Sequence, residues 1–221
     1  MQQSNFDKYS SDWWDKNGSM RMLHSMNETR MLFIKERIIK KYQELGKFKN
    51  IIKKKEILDL GCGGGILSEA LAKEGASLTA VDQSKKLIES ARERANTHKY
   101  NINYQCFSIE EMYKKKIKFD IIICLEVIEH ISDYQKFIIN IFNCLKKNGL
   151  VILSTINRSK LAYLTTIFFA EKIFKLVPNK THDWNMYIKP EEIIELLEKK
   201  RIKTDKLIGL LPIPTLYGYK W

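Results

Sequence analysis

Two sets of residues have the types and spacing to do chemistry. The first is Asp59-Leu60-Gly61-Cys62-Gly63-Gly64-Gly65, followed by Asp82 at the end of the next apolar run. Glycines let a backbone turn sharply and approach a ligand closely, and a helix that follows offers free N–H groups. An acid ending the next strand can hold ribose hydroxyls, so loop, acid and strand order together point to a nucleoside-bearing ligand. The dinucleotide fingerprint asks for a third glycine at position 66, where this chain has Ile66. It also has no use for Asp59 two residues before the loop, an acid that suits a ligand with a cationic amine. The second set is Glu126, Glu129 and His130, spaced i, i+3 and i+4. On a helix all three point one way, and two carboxylates with an imidazole can hold Mg²⁺ or a similar divalent ion. The same spacing also fits a charged helix start with His130 at the surface.

The elements around these residues follow one grammar. Residues 56–60 read as a short apolar strand, and the glycine loop leads into a helix over 66–73 that stops at Gly75. A strand over 77–81 ends in Asp82, and Ser84 is placed to cap a helix over 85–97. Strands at 102–107, 119–124 and 150–155 follow, with a helix over 133–146 between the last two. Ser132 and Gln135 form the capping box of that helix, and Asn148-Gly149 ends it. The alternation predicts an α/β fold, a Rossmann-like parallel sheet with helices on both faces. Both sets of residues then follow the carboxyl ends of strands, where open α/β sheets bind ligands. Ahead of the sheet, residues 4–50 are helical in pattern: Phe6, Tyr9 and Trp13 share a face, and an amphipathic stretch covers 29–45. Behind it a sixth strand is expected at about 204–210, before Pro212 and Pro214 break regular pairing.

S-adenosylmethionine carries an amino group, a carboxylate and a ribose but no phosphate. The loop resembles motif I of the class I S-adenosylmethionine-dependent methyltransferases. Further motifs narrow the resemblance: Trp13-Trp14-Asp15, Leu23-His24, Asn27 with Arg30, Glu126-Val127-Ile128-Glu129-His130 and Ser154-Thr155-Ile156-Asn157-Arg158. With Val177-Pro178-Asn179-Lys180-Thr181-His182-Asp183 they resemble the ubiquinone-biosynthesis O-methyltransferases, from about Phe6 to Lys206. Two departures stand out: Glu28 replaces the family's usual proline after Asn27, and the C-terminal part is short. The resemblance implies methyl transfer to a ring hydroxyl of polyprenylated catechol-type intermediates, of the 3-demethylubiquinol and 2-polyprenyl-6-hydroxyphenol kinds. It implies that Arg30, Gly61, Asp82 and Leu125 surround the cofactor, with Arg30 as a fork for the methionyl carboxylate and Leu125 packing on it. It also implies magnesium at Glu126, Glu129 and His130, lowering a catechol hydroxyl below its usual pKa of ~10. With no metal bound, His130 is the candidate general base. Sheets of this class normally have seven strands, the last antiparallel, and the short remainder here leads us to expect six.

The expected organisation is a helical extension or cap over 1–50 and a methyltransferase domain over 51–221 carrying a membrane-contacting insertion at 158–182. Within that insertion Tyr163, Ile167, Ala170, Phe174 and Val177 share a helical face, while Lys160, Glu171, Lys172 and Lys175 mark the other side. Its uncharged stretch, 161–170, is too short to span a bilayer but suits an interfacial segment; packing on the core is the alternative. With 38 Lys plus Arg against 26 Asp plus Glu, the net charge of +12 favours an anionic membrane surface. A general lysine-rich bias explains the same charge. A quinone-biosynthesis protein complex is a further partner the resemblance implies. Hydrophobic residues at 44% and aromatics at 11% exclude a disordered chain. Four cysteines without a C-x-x-C pair exclude a zinc ribbon and read as reduced thiols. The start lacks the basic and apolar regions of a secretory leader. The expected location is therefore a bacterial-type cytoplasm, peripheral on the cytoplasmic membrane. Nucleic acid is not an expected partner. Cys124-Leu125-Glu126 stands where amino-methylating nucleic-acid enzymes carry Asn/Asp-Pro-Pro, and no proline precedes a cysteine. A non-catalytic cofactor-binding scaffold and a methyltransferase for another small molecule are the alternative readings.

Overall fold

The computed structural model describes residues 6–162, 184–215 and 218–221. After a 3₁₀ turn at Asp7–Tyr9 and a run of turns, α1 covers Arg21–Lys41; a 3₁₀ turn at Gln43–Leu45 and α2 (Phe48–Lys53) follow. The alternating part is β1 (Ile57–Leu60), α3 (Ile66–Lys73), β2 (Leu78–Val81), α4 (Lys85–His98), β3 (Ile102–Gln105), α5 (Ile109–Lys114), β4 (Phe119–Leu125), α6 (Tyr134–Asn143) and β5 (Leu145–Ser154). Short α7 (Lys160–Ala162), α8 (Pro190–Lys199), β6 (Ile213–Thr215) and β7 (Gly218–Lys220) complete it.

The sheet is parallel throughout, in the order β3-β2-β1-β4-β5. Strand order reverses between β1 and β4, and such a switch point opens a crevice above the carboxyl ends of the strands. Helices cover both faces, so the central strands are apolar on both sides. Leu58, Leu60, Ile122 and Cys124 pack with Phe137, Ile138 and Ile141 of α6. Ile57, Ile121 and Ile123 pack with Ile34 and Ile38 of α1 and Ile51 and Ile52 of α2. Each such buried side chain contributes about 1.5–3 kcal/mol.

Several boundaries differ from the sequence reading. The first helix begins eight residues early, because nothing in Arg21–Glu28 breaks it. Residues 10–19 form turns instead of a helix, although Phe6, Tyr9 and Trp13 do pack in one cluster. The α6 helix is capped by Asp133, whose Oδ1 accepts from the Lys136 N–H, so the Ser132–Gln135 box is not used. It ends at Asn143, and β5 starts at Leu145 with an irregular pairing against Phe119–Ile121. A Ser108–Glu111 capping box starts α5. The expected sixth strand is absent: residues 202–212 contain no strand. Asp205 is instead tied to α1, its Oδ2 3.0 Å from Arg37 Nη1 and its Oδ1 3.0 Å from Lys40 Nζ. The final strands β6 and β7 form a separate antiparallel hairpin, so the main sheet has five strands. Most of the expected membrane insertion, with the Thr181-His182-Asp183 motif, lies outside the described residues. Among those described, no helix is long and apolar enough to cross a membrane.

Candidate active site

A cavity of about 1440 Å³ opens at the ends of β1, β2 and β4 and continues along β5 to α8 and residues 202–212. Its walls include every site residue expected from the sequence: Arg30, Gly61, Asp82, Leu125, Glu126, Glu129 and His130. The glycine loop is tied to β2, with the Gly61 and Cys62 N–H groups donating to Val81 O at 2.8 and 3.0 Å. Gly61 has φ +76°, and a Cβ there would stand 2.3 Å from Val127 Cγ2, so both conformation and space demand glycine.

Asp82 accepts from the Gly63 N–H at its Oδ2 (3.0 Å) and from the Ser84 N–H at its Oδ1 (2.8 Å). Both oxygens keep lone pairs for further donors such as ribose hydroxyls. Burial pushes its pKa up despite these bonds. Asp59, buried within β1, accepts from Ser68 Oγ at 2.5 Å. Burial pushes its pKa up to about 7, against the Ser68 hydrogen bond and with help from the Asp82 charge.

Arg30 reaches in from α1 with a side chain only 10% exposed. Its Nη2 lies 3.4 Å from Glu126 Oε1, an ion pair without hydrogen-bond alignment, and its Nε and Nη2 have no hydrogen-bond partner. A buried guanidinium with unused donors fits a carboxylate. Leu125 ends β4 half-buried, packed against the cluster that holds α1.

Glu126 follows in the left-handed region (φ +55°). Ser154 holds it twice: its Oγ accepts from the Glu126 N–H at 3.1 Å and donates to Glu126 Oε1 at 2.5 Å. Glu129 is buried in the 3₁₀ turn Ile128–His130, where its Oε2 accepts from Thr155 Oγ1 at 3.0 Å and its Oε1 has no hydrogen-bond partner. Burial, then the Glu126 charge, raises its pKa. His130 is half-buried and meets the Phe6 ring edge-on, centroids 5.3 Å apart.

The helical spacing of the second set is therefore not realised. A left-handed Glu126 followed by a tight 3₁₀ turn breaks the register that would align all three side chains. Among the described residues no group of three His, Cys, Asp or Glu side chains is placed to hold a metal. The residues do not fit the magnesium site expected of them. Ser68, Ser154 and Thr155, the hydroxyl partners of the three acids, had no assigned role in the sequence reading. Ser154-Thr155 was visible there only as part of a motif.

A family model described as a methyltransferase domain matches residues 30–204. The chain is 43% identical over 206 residues to the ubiquinone biosynthesis O-methyltransferase of Rickettsia prowazekii, covering 93% of this chain and 79% of that protein. A protein of the same name from Pelagibacter ubique is 41% identical over 205 residues, covering 93% and 85%. One from Coxiella burnetii is 41% identical over 205 residues, covering 93% and 82%. Among solved structures, monomeric WbdD matches with a TM-score of 0.56 at 20% identity, over 87% of this chain and 43% of its own. A structure from echinomycin biosynthesis matches with a TM-score of 0.53 at 17% identity, over 64% of this chain and 59% of its own. These two share the fold alone.

Proposed function

Because the chain belongs to the ubiquinone-biosynthesis O-methyltransferase family, we propose that it methylates a ring hydroxyl of polyprenylated catechol-type intermediates. Both the 3-demethylubiquinol and the 2-polyprenyl-6-hydroxyphenol kinds are included. When bound, S-adenosylmethionine supplies a methyl group activated by its positive sulfur. The chain's own residues bind and orient. Asp82 accepts the ribose hydroxyls, the Arg30 fork takes the methionyl carboxylate, and Leu125 packs beside it. Gly61 lets the loop backbone come close. His130 is the group that accepts the proton of the acceptor hydroxyl, since an un-ionised phenol with a pKa of ~10 is a poor nucleophile near neutral pH. Glu126 Oε1 already accepts from Ser154, and among the described residues no three His, Cys, Asp or Glu side chains are placed to hold magnesium.

The observation that carries this reading is the buried Arg30 guanidinium with unused donors, in one cleft with Asp82 and the glycine loop. Asp82→Ala should remove charge-assisted hydrogen bonds of roughly 1.5–3 kcal/mol, a ten- to hundredfold loss of S-adenosylmethionine affinity by calorimetry. Unchanged affinity would sink the assignment. A mass-spectrometric assay with a short-chain prenyl catechol as acceptor separates the enzyme from a non-catalytic scaffold, which would bind the cofactor and yield no methylated product. The net charge of +12 and the amphipathic pattern of 158–177 support peripheral contact with an anionic membrane, where such acceptors reside.

A further inference from the structure

We infer that residues 6–20 form a strap that positions the glycine loop for the cofactor, with Trp14 as its key positioning residue. This rests on the S-adenosylmethionine reading of the cleft. Most of the segment is turns, yet Trp13 and Met20 are each only 5% exposed. Trp13 rests against the loop itself. A Cβ on Gly63 would stand 2.3 Å from Trp13 Cζ2, and one on Gly64 2.4 Å from Trp13 Cδ1. The protein's own indole thus uses the close approach that these glycines allow.

Trp14 fixes the loop through one hydrogen bond, its Nε1–H donating to Gly64 O at 3.0 Å. The N–H of the same peptide unit, on Gly65, donates to Cys62 O at 2.9 Å. Both polar ends of that peptide are therefore set, one of them by the strap. The Trp14 ring is backed in turn by the Arg94 guanidinium, 3.6 Å from its centroid. Arg94 Nε bonds Glu69 Oε1 at 2.7 Å, and Glu69 is buried on α3, the helix that the loop begins. Strap, loop, α3 and α4 close a circuit. His24 Nε2 anchors the strap from α1, 2.9 Å from Trp13 O, and Asp7 bonds Ser84, the neighbour of Asp82.

The buried Trp13 Nε1–H has no hydrogen-bond partner. An unpaired buried donor destabilises, so an acceptor brought by a ligand at the loop would favour the docked strap. Coupling of this kind is reciprocal: if the strap holds the loop for the ligand, the ligand must hold the strap.

The test uses S-adenosylhomocysteine as the probe, with calorimetry and hydrogen exchange on the full chain. Trp14→Phe keeps a ring over Arg94 and removes the N–H. We expect about three- to tenfold weaker binding, with a melting temperature of the free protein close to the parent's. Exchange in residues 6–20 should slow when the probe binds the parent, and slow less in the variant. Should Trp14→Phe melt much lower, Arg94→Gln leaves the N–H in place and should give a smaller loss of affinity. Parent-like affinity in Trp14→Phe, or exchange in 6–20 indifferent to the probe, overturns the strap. If Asp82→Ala loses affinity while Trp14→Phe does not, only the strap fails. If the parent itself does not bind the probe, the reading of the cleft fails and the strap with it.

Discussion

Asp59 is the last but one residue of β1, a strand buried along its whole length, and it accepts a hydrogen bond from Ser68. Its pKa rises from 3.8 in the unfolded reference to about 7 in the fold. Within that window the native state holds a proton that the unfolded chain has lost, so stability is fully present below it and falls as pH rises through it. Asp59→Asn should then melt with the parent near pH 4 and above the parent at pH 8. The same variant should bind S-adenosylmethionine more weakly, because a cationic amine gains from the ionised carboxylate. Binding near pH 7 should release a proton, read as a dependence of the calorimetric heat on buffer ionisation enthalpy. An Asn variant less stable than the parent at pH 8 would mean that the carboxylate has a structural role its charge does not explain. Stability lost for the sake of a site is a common trade. The acid's position two residues before the loop was legible in the sequence; its burial and its Ser68 partner were not, since both depend on what α3 packs against.

At the scale of elements, what was legible was local. The strand–loop–helix unit at 57–73 and the Ser84 cap were written in short-range signals, a run of apolar residues, glycines and a hydroxyl at the right offset. The boundary between α6 and β5 is not legible locally, because Cys144-Leu145 continues an apolar run into which helix and strand both fit. The strap was not legible at all. The Trp14–Gly64 bond spans fifty positions, and no local pattern encodes it. Likewise helical spacing would align Glu126, Glu129 and His130 on one face, and one left-handed residue at Glu126 breaks that alignment although all three still line the cleft. The insertion at 158–177 is an element argued from sequence alone. Its uncharged stretch, 161–170, is too short to span a bilayer, and the lipid contact proposed for it is interfacial. Replacing Ile167 and Phe168 by Glu should weaken co-sedimentation with anionic liposomes while leaving the circular dichroism spectrum intact. Equal sedimentation of variant and parent would point to ordinary packing on the domain.

For the whole molecule the decisive feature is the edge of the sheet at β5, where no strand pairs on its outer side among the described residues. Asp205 holds the following chain to α1, and the β6–β7 hairpin is likewise drawn to that helix, Trp221 Nε1 donating to Ser25 Oγ at 2.9 Å. Leu207, Leu211 and Ile213 are left 59%, 57% and 59% exposed. An unpaired edge, and exposed apolar side chains elsewhere on the same surface, can each recruit another chain. Opposing this is a net charge of +12, which keeps copies apart over a Debye length of about 10 Å at 0.1 M salt and only about 3 Å at 1 M. The balance between these two effects sets the outcome. Repulsion should win at low ionic strength and keep the protein monomeric in sedimentation velocity. At high salt the charges are screened while apolar contacts persist, so association should grow with protein concentration. Leu207→Lys combined with Leu211→Lys should abolish that association by putting charge on the contact surface. A parent that stays monomeric in 1 M salt at high concentration would show that the edge is covered by the chain itself, and the five-stranded account of the sheet would need a sixth partner.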